Sequence, residues 1–169
     1  GTENPKGFHK REVALIPNNE DEEFAAGSYL HVQRYRHNMQ LWQATEQKTQ
    51  EDVFGRTKVD NIEYASEDKP ATAHTKKVNL KDDEGNSIEI LRQSMPYGDM
   101  KLQGLFFVSY CHSAKPFEMM LKAMIYPDGD GNFDHLLKYT QAETGAAFFA
   151  PSLNFLAKLA DLDDEEAEL

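Results

Sequence analysis

At 169 residues the chain has the length of one ordinary domain, enough to bury a core without disulfides or structural metal. Its 18 basic and 29 acidic residues give a net charge of -11, which argues against a nucleic-acid partner, whose binder needs a basic footprint, and against a polybasic membrane anchor. Hydrophobic residues at 40% exclude a disordered chain, the single Cys111 excludes a disulfide framework or Cys-rich zinc site, and no apolar run approaches the roughly 20 residues of a membrane span.

Residues 1–23 are polar and rich in Asn, Pro and charge, and read mostly as loop. The run SYLHVQRYR at 28–36 is a strand, with Leu30 and Val32 alternating against Tyr29 and His31. A helix follows from 38 to about 54, with Asn38 as its N-cap and Gly55 as its stop. Residues 57–85 keep no period and read as a long surface excursion, a kind of loop that often carries function. Strands are expected at 88–95 and at 105–112 (LFFVSYCH), joined by the turn-like PYGD; the second is apolar on both faces, which suits a central strand. Phe117, Met120, Leu121, Met124 and Ile125 fall on one face of a helix between Pro116 and Pro127. Phe133, Leu136, Leu137 and Thr140 mark another helix stopped by Gly145. A short apolar strand at 146–150 and a helix at 153–162 complete the order.

This order predicts an α+β, ferredoxin-like split βαβ fold, an antiparallel sheet with helices on one face. Residues 1–160 form that domain, with 1–25 as an N-terminal loop region. The segment 161–169, six acids and no base, reads as a solvated, disordered tail. The chain starts without Met and reads as a piece of a longer protein; no leader is visible, and the cytoplasm is the expected compartment.

Most chemical motifs are excluded by spacing. Asp128, Asp130 and Asn132 imitate the start of a calcium loop, but Phe133 stands at the glycine position and Tyr139 at that of the bidentate carboxylate. No His-x-x-x-His pair, nucleophile elbow or phosphate loop is present. Cys111 lies inside an apolar strand as an inert thiol. Taken alone, His74 in PATAHTKK reads as a surface histidine, and the Met and Phe of the 117–125 helix as plain core. Arg92 resists so simple a reading, because period-2 alternation puts it on one face with Ile88, Ile90 and Ser94. Either something negative meets it there, since an unpaired buried cation is costly, or the strand turns outward at its end.

Seven blocks of sequence resemble one family in a consistent order. They are GTENP at 1–5, GSYLHVQRYRHN at 27–38, QEDVFGRTK at 50–58, AHTKKV around His74, ILRQSMPYG at 90–98, GLFFVSYCH at 104–112 and TGAAFFAPS at 144–152. The chain resembles the dye-decolourising peroxidases, the bacterial type B members most. The resemblance implies the haem-carrying C-terminal half of a two-domain enzyme, each half ferredoxin-like, with haem b as cofactor. It implies that His74 is the axial iron ligand, that Asp134 accepts the other imidazole N–H, and that Arg92 is a distal cation stabilising negative charge as peroxide is cleaved. Ser94 matches a distal polar position, Phe107 an aromatic lying over the porphyrin, and Arg56 a partner for a haem propionate. The family's distal aspartate would stand just before Gly1.

The expected function is thus a haem peroxidase that oxidises dyes, phenolics or similar reductants with hydrogen peroxide. Its other partners are an N-terminal half of the same protein and further copies in a homo-oligomer; alone, this piece is expected to be impaired. Tyr97, Tyr110 and Trp42 are candidate electron relays. The alternatives are a module that handles haem or its iron without turnover, and a non-haem interaction domain on the same scaffold.

Overall fold

The computed structural model describes residues 10–167. The block at 1–5, and Gly1 with the aspartate inferred before it, lie outside the described residues. In chain order the elements are α1 (Lys10–Ala14), β1 (Ser28–His37), α2 (Met39–Ala44), α3 (Gln47–Phe54), α4 (His74–Lys77), β2 (Leu91–Arg92), β3 (Met95–Gly98), β4 (Gln103–Cys111), α5 (Lys115–Ile125), a 3-10 turn (His135–Lys138), β5 (Thr140–Ala150) and α6 (Leu153–Ala167). The sheet runs β2-β4-β1-β5, with β3 also on β4, and every pairing is antiparallel. Counting β2 and β3 as one interrupted strand, this is the split βαβ arrangement expected. Phe54 of α3, His74 of α4 and four residues of α5 meet the row His31, Gln33, Tyr35 and His37 of β1 around a single hollow, so these helices share one face of the sheet.

Several elements differ from expectation for tertiary reasons. The opening contains α1, whose Ala14 is buried and whose Val13 carbonyl accepts from the His112 N–H at 3.0 Å. The 38–54 helix is two helices. Asn38 caps the first, its Oδ1 accepting from the Leu41 N–H, and Gly55 stops the second at φ 73 in the left-handed region. Between them Thr45 is extended. The buried Gln50 side chain turns back to donate to the carbonyls of Trp42 (2.6 Å), which otherwise keeps only the capping N–H of Thr45, and of Thr45 (3.0 Å).

The strand expected at 88–95 shrinks to β2 and restarts as β3, because the Val108 N–H meets the Ser94 hydroxyl (3.4 Å) where a ladder carbonyl would stand. Pro96, Tyr97 and Gly98 therefore belong to an edge strand, where a proline is tolerated, and the turn begins at Asp99, whose Oδ1 accepts from Lys101 and Leu102. The helix expected from 133 to Gly145 is only the 3-10 turn. Pairing of Thr140 with His37 draws the chain into β5, leaving Gly145 mid-strand opposite Gln33. One extra residue, Glu143, bulges between the partners of Arg34 and Tyr35, within 3.5 Å of Arg34 and 3.2 Å of Arg36. Finally, α6 runs on to Ala167, through most of the stretch that composition assigns to a disordered tail.

Gly104 is fixed by close approach. A Cβ there would lie 2.0 Å from the Tyr35 carbonyl oxygen and 2.7 Å from the Tyr97 ring. Gly104→Ala is expected to lower stability by about 2 kcal/mol or more, since backbone has to move. Urea denaturation of both proteins checks this, and an unchanged midpoint would mean that β1 and β4 part without cost.

Candidate functional site

A cavity of about 470 Å³ lies between the sheet and its helices. Its floor is the β1 row, its apolar wall Phe117, Met120, Leu121 and Met124 of α5, and its far side Ile90, Arg92 and Ser94 with Leu105 and Phe107 of β4. The helix face read as plain core is thus a cavity wall. The strand alternation also runs opposite to the ordinary reading. The row His31, Gln33, Tyr35 and His37 faces inward, while Leu30, Val32, Arg34 and Arg36 lie on the other face, with exposed Phe148 beside Leu30 and exposed Phe106 beside Arg34.

His74 opens α4, and its Nδ1 lies 2.6 Å from Oδ2 of Asp134. Asp134 is fully buried, and its Oδ1 accepts from the Leu136 N–H at 2.9 Å. The flanking backbone locks this pair: Asp134 N–H donates to the Met124 carbonyl and His135 N–H to that of Thr72, both at 3.0 Å. Lys77 ties α4 to the next loop through Asp128 (2.9 Å) and the Asn132 carbonyl (2.7 Å). Lys77 and the backbone N–H of Asn132 together pull the Asp128 carboxyl down to about 2. The acidic loop that imitates a calcium site thus spends its first carboxylate on holding α4. A His74 ring that donates Nδ1–H to Asp134 presents Nε2 as its free nitrogen, and Nε2 has no hydrogen-bond partner among the described residues.

Arg92 stands opposite Ser109 in the β-ladder, at the cavity mouth. Its surface remains partly open, yet protein crowds it enough for desolvation to pull its pKa below the usual guanidinium value, against the opposing charge of Glu89. Such a group keeps its charge. Arg92 lines the cavity, yet its side chain is exposed and among the described residues no acid or hydrogen-bond acceptor pairs with it, so the negative partner of the first sequence reading is not seen. Ser94 lines the same side; its oxygen accepts from Val108, and its hydroxyl hydrogen is left to turn inward. Phe107 meets His31 and Tyr35 edge-on at 5.9 and 6.4 Å.

Arg56 is not brought to this cavity. Its Nε and NH2 are held by Asn61 (2.9 and 2.8 Å) and its NH1 by Glu63 (2.8 Å), in a neighbouring pocket that touches the cavity only through Phe54. Conversely, sequence reasoning missed the β1 row. Burial lowers the pKa of His31 and His37. Burial first, and the Asp134 charge second, push Tyr35 up to about 12, and its hydroxyl donates to Gln33. The sequence carried little sign of it, because Arg34 and Arg36 make the second half of β1 polar on both faces.

Asp134→Ala is expected to cost about 2–4 kcal/mol, because two N–H groups, of His74 and Leu136, lose their acceptor. Thermal unfolding checks it; a loss near zero would mean that the Asp134 contacts are replaced by water.

Comparison with known proteins decides the family. The family described as Dyp-type peroxidase, C-terminal, matches residues 1–155. The chain belongs to it. A dye-decolorizing peroxidase of Mycolicibacterium paratuberculosis is 40% identical over 92% of this chain and 44% of its own length. Among solved structures, a protein assigned as a Dyp-type peroxidase from Shewanella oneidensis is 60% identical, with TM-score 0.88 over 94% of this chain and 51% of its own. A Rhodococcus jostii RHA1 DypB variant in complex with heme is 35% identical, with TM-score 0.84 over 90% of this chain and 49% of its own. The chain therefore spans about half the length of these Dyp-type relatives.

Proposed function

We propose that this chain is the haem-holding half of a peroxidase that uses hydrogen peroxide to oxidise an organic reductant. The observation that carries the reading is the His74–Asp134 pair on the cavity wall: one ring nitrogen is anchored to a buried carboxylate and the other left free. The residues fit haem, since the α5 wall is apolar, His74 offers a nitrogen ligand with an oriented ring, and Arg92 offers a charge without a protein partner. Bound there, haem b would supply the iron at which peroxide is reduced and the oxidising equivalents passed to the reductant. Asp134 makes the His74 imidazole a stronger donor and fixes its orientation. Arg92, with Ser94 beside it, donates hydrogen bonds to negative charge at the cavity mouth. Phe107, and the α5 side chains Phe117 to Met124, exclude water from the interior.

The other half of the same protein, a homo-oligomeric state and a cytoplasmic location belong to this proposal. An encapsulated DyP-type peroxidase from Mycobacterium smegmatis, 39% identical with TM-score 0.85, supports the location. Among the described residues no helix is long and apolar enough to cross a membrane. The test is the absorption spectrum of the full-length protein, then dye oxidation with peroxide. A Soret band with dye turnover is expected. No band after haem addition overturns the reading, and a band with free porphyrin but no turnover replaces it with haem handling.

A further inference from the structure

Beyond the cavity lies a second, larger cleft of about 850 Å³, formed by the end of β1, the start of α2, the turn before β4 and the segment entering β5. Its chemistry is different. Arg36, Lys101 and Lys138 line it, with five carboxamides, among them Gln40, Gln43 and Gln103. None of the chain's 29 acids contributes to this lining among the described residues, although the net charge is -11. Arg36 shares Glu143 with Arg34 and is partly neutralised. Lys101 and Lys138 have no acidic partner among the described residues; the Lys138 ammonium instead lies 2.9 Å from Nε2 of His135.

His37 and Thr140 line both the cleft and the cavity, so the two hollows share a wall. That wall is tied by two hydrogen bonds. The Thr140 hydroxyl lies 3.3 Å from the Arg36 carbonyl and 2.9 Å from His37 Nδ1; where it donates to the carbonyl, His37 gives it Nδ1–H and a neutral ring keeps Nε2 as an acceptor. A cation-lined hollow on an acidic protein focuses small anions, and carboxamides add directional hydrogen bonds.

We propose that this cleft binds a small carboxylate-bearing ligand, its anionic group between Lys101 and Lys138 and its remainder toward the His37–Thr140 wall. Under the peroxidase reading such a ligand is a reductant held one side-chain layer from the redox centre; that role rests on the reading above, whereas the anion site does not.

The test uses the full-length haem-loaded protein and two phenols differing in one charge, 4-hydroxybenzoate and its methyl ester. Calorimetric titration at low salt is expected to show the acid binding about tenfold more tightly than the ester. Lys101→Gln combined with Lys138→Gln is expected to remove that preference, and added salt to weaken it. Equal affinity for acid and ester, or a preference that survives both substitutions, overturns the site. Peroxide-driven oxidation of the same phenols is followed separately. Charge-dependent binding without oxidation supports the site and overturns the reductant role, while a missing Soret band points to failure of the haem reading alone.

Discussion

His74→Ala is expected to reduce haem affinity by more than about 100-fold, because loss of an outer-shell partner alone costs about 10–100-fold and this substitution removes the proposed ligand itself. Porphyrin contacts with the α5 wall would remain, so weak binding should persist with an altered spectrum. Titrating haem into both proteins while following the Soret band measures the effect. Unchanged affinity and spectrum would assign the axial position to another residue; the inward-facing His31 and His37 would be the next to substitute. The substitution also leaves Asp134 buried without its 2.6 Å partner, so a thermal unfolding curve of the haem-free protein is needed beside the titration. Asp134→Asn serves as a second variant. It keeps the shape and weakens the imidazole as a donor, so retained haem with a raised reduction potential is expected.

Arg92→Leu is expected to leave haem bound and slow the reaction with peroxide by about 10²–10³-fold, the usual cost of losing one charge-stabilising donor. The side chain has no structural partner among the described residues, so the fold should not suffer; relief of a desolvated cation favours slightly greater stability if anything changes. Rapid mixing with peroxide at several concentrations gives the bimolecular rate constant. A constant within a factor of about two of the wild type, well short of the expected loss, would remove Arg92 from peroxide activation and leave Ser94 with ordered water in its place.

Local signals were legible in the sequence and distant ones were not. Asn38, Gly55 and Pro116 marked element ends correctly, because capping and φ restrictions act within one turn. The break between α2 and α3 was hidden, since its cause is a side chain, Gln50, closing carbonyls up to eight residues away. The length of β5 was hidden for a similar reason. Nothing in Phe133 to Gly145 announces that β1 will recruit it, whereas a sparse apolar period imitates a helix. Of the site, Arg92 drew attention by its place on an apolar face. His74 carried no local sign at all, and only the resemblance of its surrounding block singled it out. Its partner is 60 residues away, a distance at which periodicity says nothing.

That separation has a consequence for assembly. His74 rides on a largely irregular stretch between α3 and β2. Around His74 itself the stretch is joined to the rest by the Asp134 pair and by bonds from Thr75 to the Phe54 carbonyl, from His135 to the Thr72 carbonyl and from Lys77 to the loop after α5, while Lys58 and Tyr64 tie its start to α3. The sheet carries its own extensive ladder, in which none of these contacts takes part. Docking of the His74 segment and retention of a ligand at His74 are therefore linked equilibria. Anything that binds only the docked arrangement stabilises it by mass action, and at 100 times its dissociation constant that amounts to about 2.7 kcal/mol. Under the proposed function the histidine would act as a latch as well as a ligand, and the bond that held the prosthetic group would also close the segment carrying it.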